Sequence, residues 1–137
     1  VKRELTPALL LGDAFAHLCD GGEIRPLSVD ATFWTETAPT LPAGKLVSVF
    51  ESAQDWTVWE MHPEGDELVL LLSGCLRLHF DRAGENWLQM LRAGEFVIAP
   101  AGVWHTADVI ETGKALFITA GANTQHRDRV AAPNPIG

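Results

Sequence analysis

The chain reads as an all-β domain built as a barrel or sandwich. Three observations predict it. From Lys45 onward, short runs rich in β-branched, aromatic and leucine residues recur at roughly 8–12-residue spacing. Turn-forming clusters separate them: Asp81-Arg82-Ala83-Gly84-Glu85, Arg92-Ala93-Gly94, Pro100-Ala101-Gly102 and Glu111-Thr112-Gly113. No helical periodicity falls between the runs, which argues against a parallel sheet with crossover helices. At 137 residues the chain has the size of one domain.

Taken in order, the elements begin with a short N-terminal helix. Thr6-Pro7 supplies an N-cap hydroxyl and a proline for the first helical position, and Leu10, Phe15 and Leu18 follow at amphipathic spacing before Gly21-Gly22. Residues 23–44 carry mixed signals: Ala31–Thr35 fits a strand, and 38–44 is a proline-rich loop. The barrel core spans about 45–120, between an N-terminal arm, 1–44, and a C-terminal tail, 121–137. Eight strands are predicted in it: Lys45–Glu51, Asp55–His62, Glu67–Ser73, Cys75–Phe80, Glu85–Leu91, Glu95–Ala99, Val103–Ile110 and Lys114–Thr119. The tail is polar with prolines near its end, a composition that wraps a surface or frays.

Residues two apart on a strand share a face. Trp56, Val58, Glu60 and His62 therefore look one way, and Thr57, Trp59 and Met61 the other. The turn at 63–66 can return Glu67 beside Glu60 and His62, which gathers three Lewis-basic groups in one small volume. The strand opened by Glu67 is apolar on both faces, so both faces are covered. Its outer face has two available covers, the N-terminal segment or a second copy of the chain in a homodimer.

The formal charge of -8 and the lack of a basic patch leave nucleic acid and anionic membranes as poor partners. No stretch approaches the ~20 apolar residues of a membrane span, and the first residues carry no secretory pattern. Two cysteines, Cys19 and Cys75, make no disulfide framework, which points to the cytoplasm.

A second constellation lies downstream: Gly94, Pro100, Gly102 and His105. Together with His62, Glu67 and Gly74 it resembles the cupin superfamily in its small single-domain form. The family's first motif reads G-x5-H-x-H-x3,4-E-x6-G and its second G-x5-P-x-G-x2-H-x3-N. His62, Glu67 and Gly74 match the first motif at its spacing, and Gly94, Pro100, Gly102 and His105 match the second at every spacing. Glu60 stands where the family has its first histidine, Gln54 where the opening glycine falls, and Val109 where the final asparagine falls. The resemblance implies a jelly-roll barrel, or double-stranded β-helix, with His62, Glu67 and His105 as ligands of a divalent metal.

Two imidazoles and a carboxylate leave coordination positions open for substrate or dioxygen and suit iron(II). Glu60 is either a fourth ligand, hard enough for iron, manganese, zinc or nickel, or a free carboxylate beside the ion that serves as general acid or base. Trp56 shares the ligands' face and, with Val58, Val69, Phe96 and Ile98, is the predicted wall toward a small-molecule ligand or substrate. Two functions follow: a metal-dependent enzyme such as a dioxygenase or isomerase, or a non-catalytic small-ligand binder or sensor. A third, a metal-free epimerase-like cupin with a histidine base, ranks last, because the tyrosine partner that the resemblance implies is missing from a chain with no Tyr. The remaining histidines read as surface groups: His17 on the helix, His79 on the far side of its strand, and His126 in the tail or at the mouth of a partner's barrel.

Overall fold

A computed structural model describes residues 5–130. It contains eleven strands: β1 (Ala14–Cys19), β2 (Ile24–Ser28), β3 (Gly44–Ser52), β4 (Val58–Met61), β5 (Glu67–Leu71), β6 (Cys75–Arg82), β7 (Glu85–Arg92), β8 (Phe96–Ala99), β9 (Trp104–Glu111), β10 (Gly113–Thr119) and β11 (Gln125–Asp128). All pairings between these strands are antiparallel. One sheet has the order β2-β1-β3-β10-β5-β8 and the other β11-β4-β9-β6-β7. All eight predicted strands from Lys45 onward are present within a few residues of their expected limits.

The two sheets face each other across an apolar interior. Val69, Leu71, Ala99, Ala115 and Phe117 from the first meet Leu76, Leu78, Phe80, Leu91 and Ala107 from the second. These are alternate positions on their strands, which places the intervening side chains outside. At the end of the barrel, Gly74 holds φ at +85°, and a β-carbon there would lie 2.6 Å from the Glu111 carbonyl oxygen. The motif glycine thus permits a close backbone crossing that a side chain would block.

The N-terminal segment departs from expectation. The helix predicted after Thr6-Pro7 is replaced over Ala14–Cys19 by strand β1, which pairs with β2 and β3. Helical turns occur instead at Phe33–Thr37 and Ala38–Thr40, so Ala31–Thr35 is not a strand. The physical reason is tertiary. As a strand, β1 sends Phe15 and His17 to the interior, where Phe15 meets Phe33 edge-on at 5.2 Å and also contacts Trp34 and Phe50. An isolated helix of this length has too little intrinsic stability to compete with that burial. His17 is accordingly buried, not on a helix surface, with Nδ1 3.3 Å from Cys19 Sγ.

The tail does wrap the barrel. Strand β11 runs antiparallel to β4, pairing His126 with Glu60 and Arg127 with Trp59. On the outer side of that sheet, the Arg127 guanidinium lies over the rings of Trp59 and Trp104 at 4.8 and 4.7 Å, and it donates to Asp81 at 2.6 Å. Arg129 donates to Asp108 and to the Ala107 carbonyl. Asp108 also receives Arg77 and His79, so His79 does lie on the far face of its strand, within an ion-paired network. Burial would raise the Asp108 carboxyl, but its bonds from Arg129, His79 and Arg77 hold it well below the usual carboxylate range. Residues 131–137 of the tail lie outside the described residues. Among the described residues no helix is long and apolar enough to cross a membrane.

Candidate metal centre

Three strands bring the predicted ligands together. Glu60 is on β4 and His62 just follows it. Glu67 opens β5, and His105 is on β9, directly opposite Glu60 in register. The two motif turns are stitched to each other: the Gly102 amide donates to the His62 carbonyl at 3.0 Å, and the Ala101 amide donates to Asp66 Oδ1 at 2.9 Å. Asp66 therefore fixes one turn against the other.

The ligand-capable atoms of Glu60, His62, Glu67 and His105 all lie within 4.8 Å of one another. Atoms bound to one ion at about 2.1 Å stand at most about 4.2 Å apart. Bringing the widest pair onto opposite sides of one ion thus takes a closure of about 0.6 Å. His62, Glu67 and His105 are buried, whereas the Glu60 side chain is 33% exposed. The site therefore opens to solvent on the Glu60 side.

The hydrogen bonds fix which atoms face the centre. The Thr124 hydroxyl donates to the Gly121 carbonyl at 2.9 Å, so its oxygen accepts from His62 Nδ1 at 2.7 Å. That leaves His62 Nε2 pointing inward, 3.1 Å from Glu67 Oε2 and 3.8 Å from Glu60 Oε2. Among the described residues it is the buried side-chain nitrogen or oxygen with no hydrogen-bond partner of acceptable geometry. An orphaned buried imidazole nitrogen surrounded by carboxylates is what a cation would satisfy. His105 repeats the pattern: Nδ1 faces the Val103 carbonyl at 3.3 Å, and Nε2 lies 2.9 Å from Glu67 Oε1.

Glu67 sits between the two imidazoles and also accepts the Thr119 hydroxyl at 2.6 Å. Burial alone would push its carboxyl up, but the hydrogen bond with His105 and the neighbouring His62 imidazole outweigh this and hold it at about 2. Burial likewise works against a charged His105, yet the neighbouring Glu67 carboxylate raises it above the ordinary histidine value. A carboxylate that stays ionised between two imidazoles matches the charge needs of a divalent ion.

The predicted wall is partly displaced. Val69 is core, and Trp56 packs against that core with its ring 6.0 Å from Phe117. Val58 is half-buried. Phe96 and Ile98 do not line the interior: they are 61% and 50% exposed, and Val97 and Ala99 are the inward residues of β8. The register explains it, since Ile98 pairs with Leu68 and Phe96 with Leu70, both on the outer face of β5. Sequence reasoning missed Phe80, whose ring lies 6.4 Å from His105, and Trp87, stacked on Phe80 at 5.3 Å. Their signal was parity, because Phe80 alternates with inward Leu76 and Leu78. His126, read as a surface group, reaches its own chain's Glu60, with Nε2 3.2 Å from Oε1.

No protein-family model and no curated protein sequence matches the chain. Solved structures do. An uncharacterized conserved protein with a double-stranded β-helix domain from Klebsiella pneumoniae is 21% identical. That alignment covers 66% of this chain and 81% of that one, with a TM-score of 0.53. Tomato vicilin, from Solanum lycopersicum, is 16% identical over 66% of this chain and 28% of its own, with a TM-score of 0.51. A cupin-2 domain containing protein from Shewanella frigidimarina is 25% identical over 56% of this chain and 70% of that one, with a TM-score of 0.47. The fold is thus that of a double-stranded β-helix.

Proposed function

We propose that the chain is a mononuclear metalloprotein in which Glu60, His62, Glu67 and His105 hold one divalent ion and a small molecule binds beside it. The observation that carries this reading is the inward, unpartnered Nε2 of His62, set among three other ligand-capable groups. Such an ion supplies a Lewis acid with positions open to a small oxygen-bearing ligand, and the donor set suits iron, manganese, zinc or nickel. The residues supply the rest. His62 and His105 are locked by Nδ1 contacts that aim Nε2 inward. Glu60 is the exposed member, so it meets both the ion and an entering ligand, and it is the group placed to take or give a proton there. Phe80 and Trp87 form an apolar flank beside His105. A dioxygenase or isomerase reaction is the proposed chemistry.

Purified without chelator, the protein is expected to carry close to one divalent ion per chain by elemental analysis. Turnover of a screened small acid, sugar or diketone should vanish on chelation and return with the ion. A metal-free protein that cannot be reloaded would overturn the proposal.

We further propose a homodimer. The outer face of the first sheet presents Leu68, Leu70, Phe96, Ile98, Leu116 and Ile118, on three adjacent strands. The N-terminal segment, whose strands β1 and β2 extend the far side of the same sheet, does not bury Phe96 or Ile98. An apolar face of this extent marks an association surface. Light scattering should give twice the chain mass, and Phe96→Asp with Ile98→Lys should halve it. A monomeric wild type would exclude the dimer.

A further inference from the structure

Three of the four candidate ligands are each gripped by one short stretch of chain, at the end of β10 and the start of β11. The Thr119 hydroxyl donates to Glu67 Oε2 at 2.6 Å. Thr124 Oγ1 accepts His62 Nδ1 at 2.7 Å. His126 Nε2 lies 3.2 Å from Glu60 Oε1. The spacing of these residues in sequence, with the strand pairing of β11 to β4, brings each polar tip to a different ligand. None belongs to either sequence motif.

The stretch is itself held in place from both sides. Asn123, in the left-handed region at φ +60°, donates to Glu64 Oε1 at 3.0 Å, which clasps the turn between β4 and β5. Beyond it, Arg127 is wedged between Trp59 and Trp104, and Arg129 reaches Asp108. An exposed four-residue edge strand gains little from its own burial, so these anchors fix its register. That register decides whether His126 stands opposite Glu60.

We propose that the segment 119–126 is the orienting element of the metal centre, with Thr124 and His126 as its positioning residues. Thr124 sets the His62 tautomer and ring plane so that Nε2 faces the ion. His126 occupies Glu60 Oε1 and so turns Oε2, the oxygen nearer His62, toward the centre. Thr119 does the same for Glu67. Outer partners of this kind are worth about 10–100-fold in metal affinity, because they determine the ligand geometry before the ion arrives. The assignment rests on the metal reading given above.

The test uses the full chain and cobalt(II) alone, read by competition titration and by the visible ligand-field spectrum. Thr124→Val and His126→Ala are each expected to weaken cobalt binding at least roughly tenfold and to alter the spectrum. Thr124→Ser and His126→Gln, which keep a hydrogen-bonding group at the same reach, should restore both. His126 is half-exposed on an edge strand, so its alanine variant folds without disturbing the core and decides the matter even where Thr124→Val does not fold. Wild-type binding with both variants within twofold of it and spectrally unchanged would overturn the positioning role while leaving the metal site intact. A wild type that binds no cobalt would overturn the metal reading and the positioning role together.

Discussion

Replacing His105 by alanine is expected to lower divalent-metal affinity on the order of a thousandfold, well beyond the roughly 10–100-fold cost of disturbing an outer partner. His105 is 1% exposed, and its Nε2 lies 2.9 Å from Glu67. The loss is therefore a missing donor atom on the buried side of the site, and not a weakened one. Titration with zinc or cobalt against a chromophoric chelator measures it. Circular dichroism should show the β-rich fold retained, because the sheets are held by the apolar interior formed by residues such as Leu71, Leu78 and Phe117. Wild-type affinity in the variant would remove His105 from the ligand set.

Glu67→Gln should destabilise the chelated protein by about 2–3 kcal/mol at neutral pH, the order expected when a buried charge with several hydrogen bonds is neutralised. The carboxylate bonds His105 and the Thr119 hydroxyl in a fully buried position, with His62 Nε2 3.1 Å away. The pH dependence follows from the direction of each shift. Glu67 is held down at about 2 against an ordinary 4.5. Its stabilising contribution is thus complete above about pH 4.5 and is lost as pH falls toward 2. His105 is raised, so its contribution is complete below the ordinary histidine range and is lost as pH rises through its higher folded value. Chelated wild type should therefore gain most from this pair between those limits. The difference between wild type and Glu67→Gln, read by urea unfolding, should shrink toward both extremes. A difference that does not change with pH would contradict the ionised Glu67 on which the site's charge balance depends.

The barrel was legible because its strands announce themselves locally. Alternating or continuous apolar runs bounded by Gly, Pro and Asp turns need no knowledge of their partners. The N-terminal arm was not, because its sequence satisfies a helix pattern through Thr6-Pro7 and the spacing of Phe15 and Leu18. The strand that overrides it, β3, begins only at Gly44. Propensity is a weak prior when a distant sheet edge and an aromatic cluster await the segment.

The centre shows the same division. Spacing alone gathered Glu60, His62 and Glu67, and the motif resemblance added His105. Phe96 and Ile98 were misassigned because Phe96-Val97-Ile98-Ala99 is apolar at every position, so alternation carries no information about facing. Only the pairing of Ile98 with Leu68 settles it. Thr119, Thr124 and His126 are ordinary polar residues in sequence. Their contacts exist because β11 returns to β4 with one particular register, a long-range pairing that no local pattern encodes.

Anomalous diffraction from crystals loaded with zinc or cobalt tests the central claim most directly. One peak per chain is expected, bonded to His62 Nε2, His105 Nε2, Glu67 and a Glu60 oxygen. A peak elsewhere, or none under saturating metal, would contradict it.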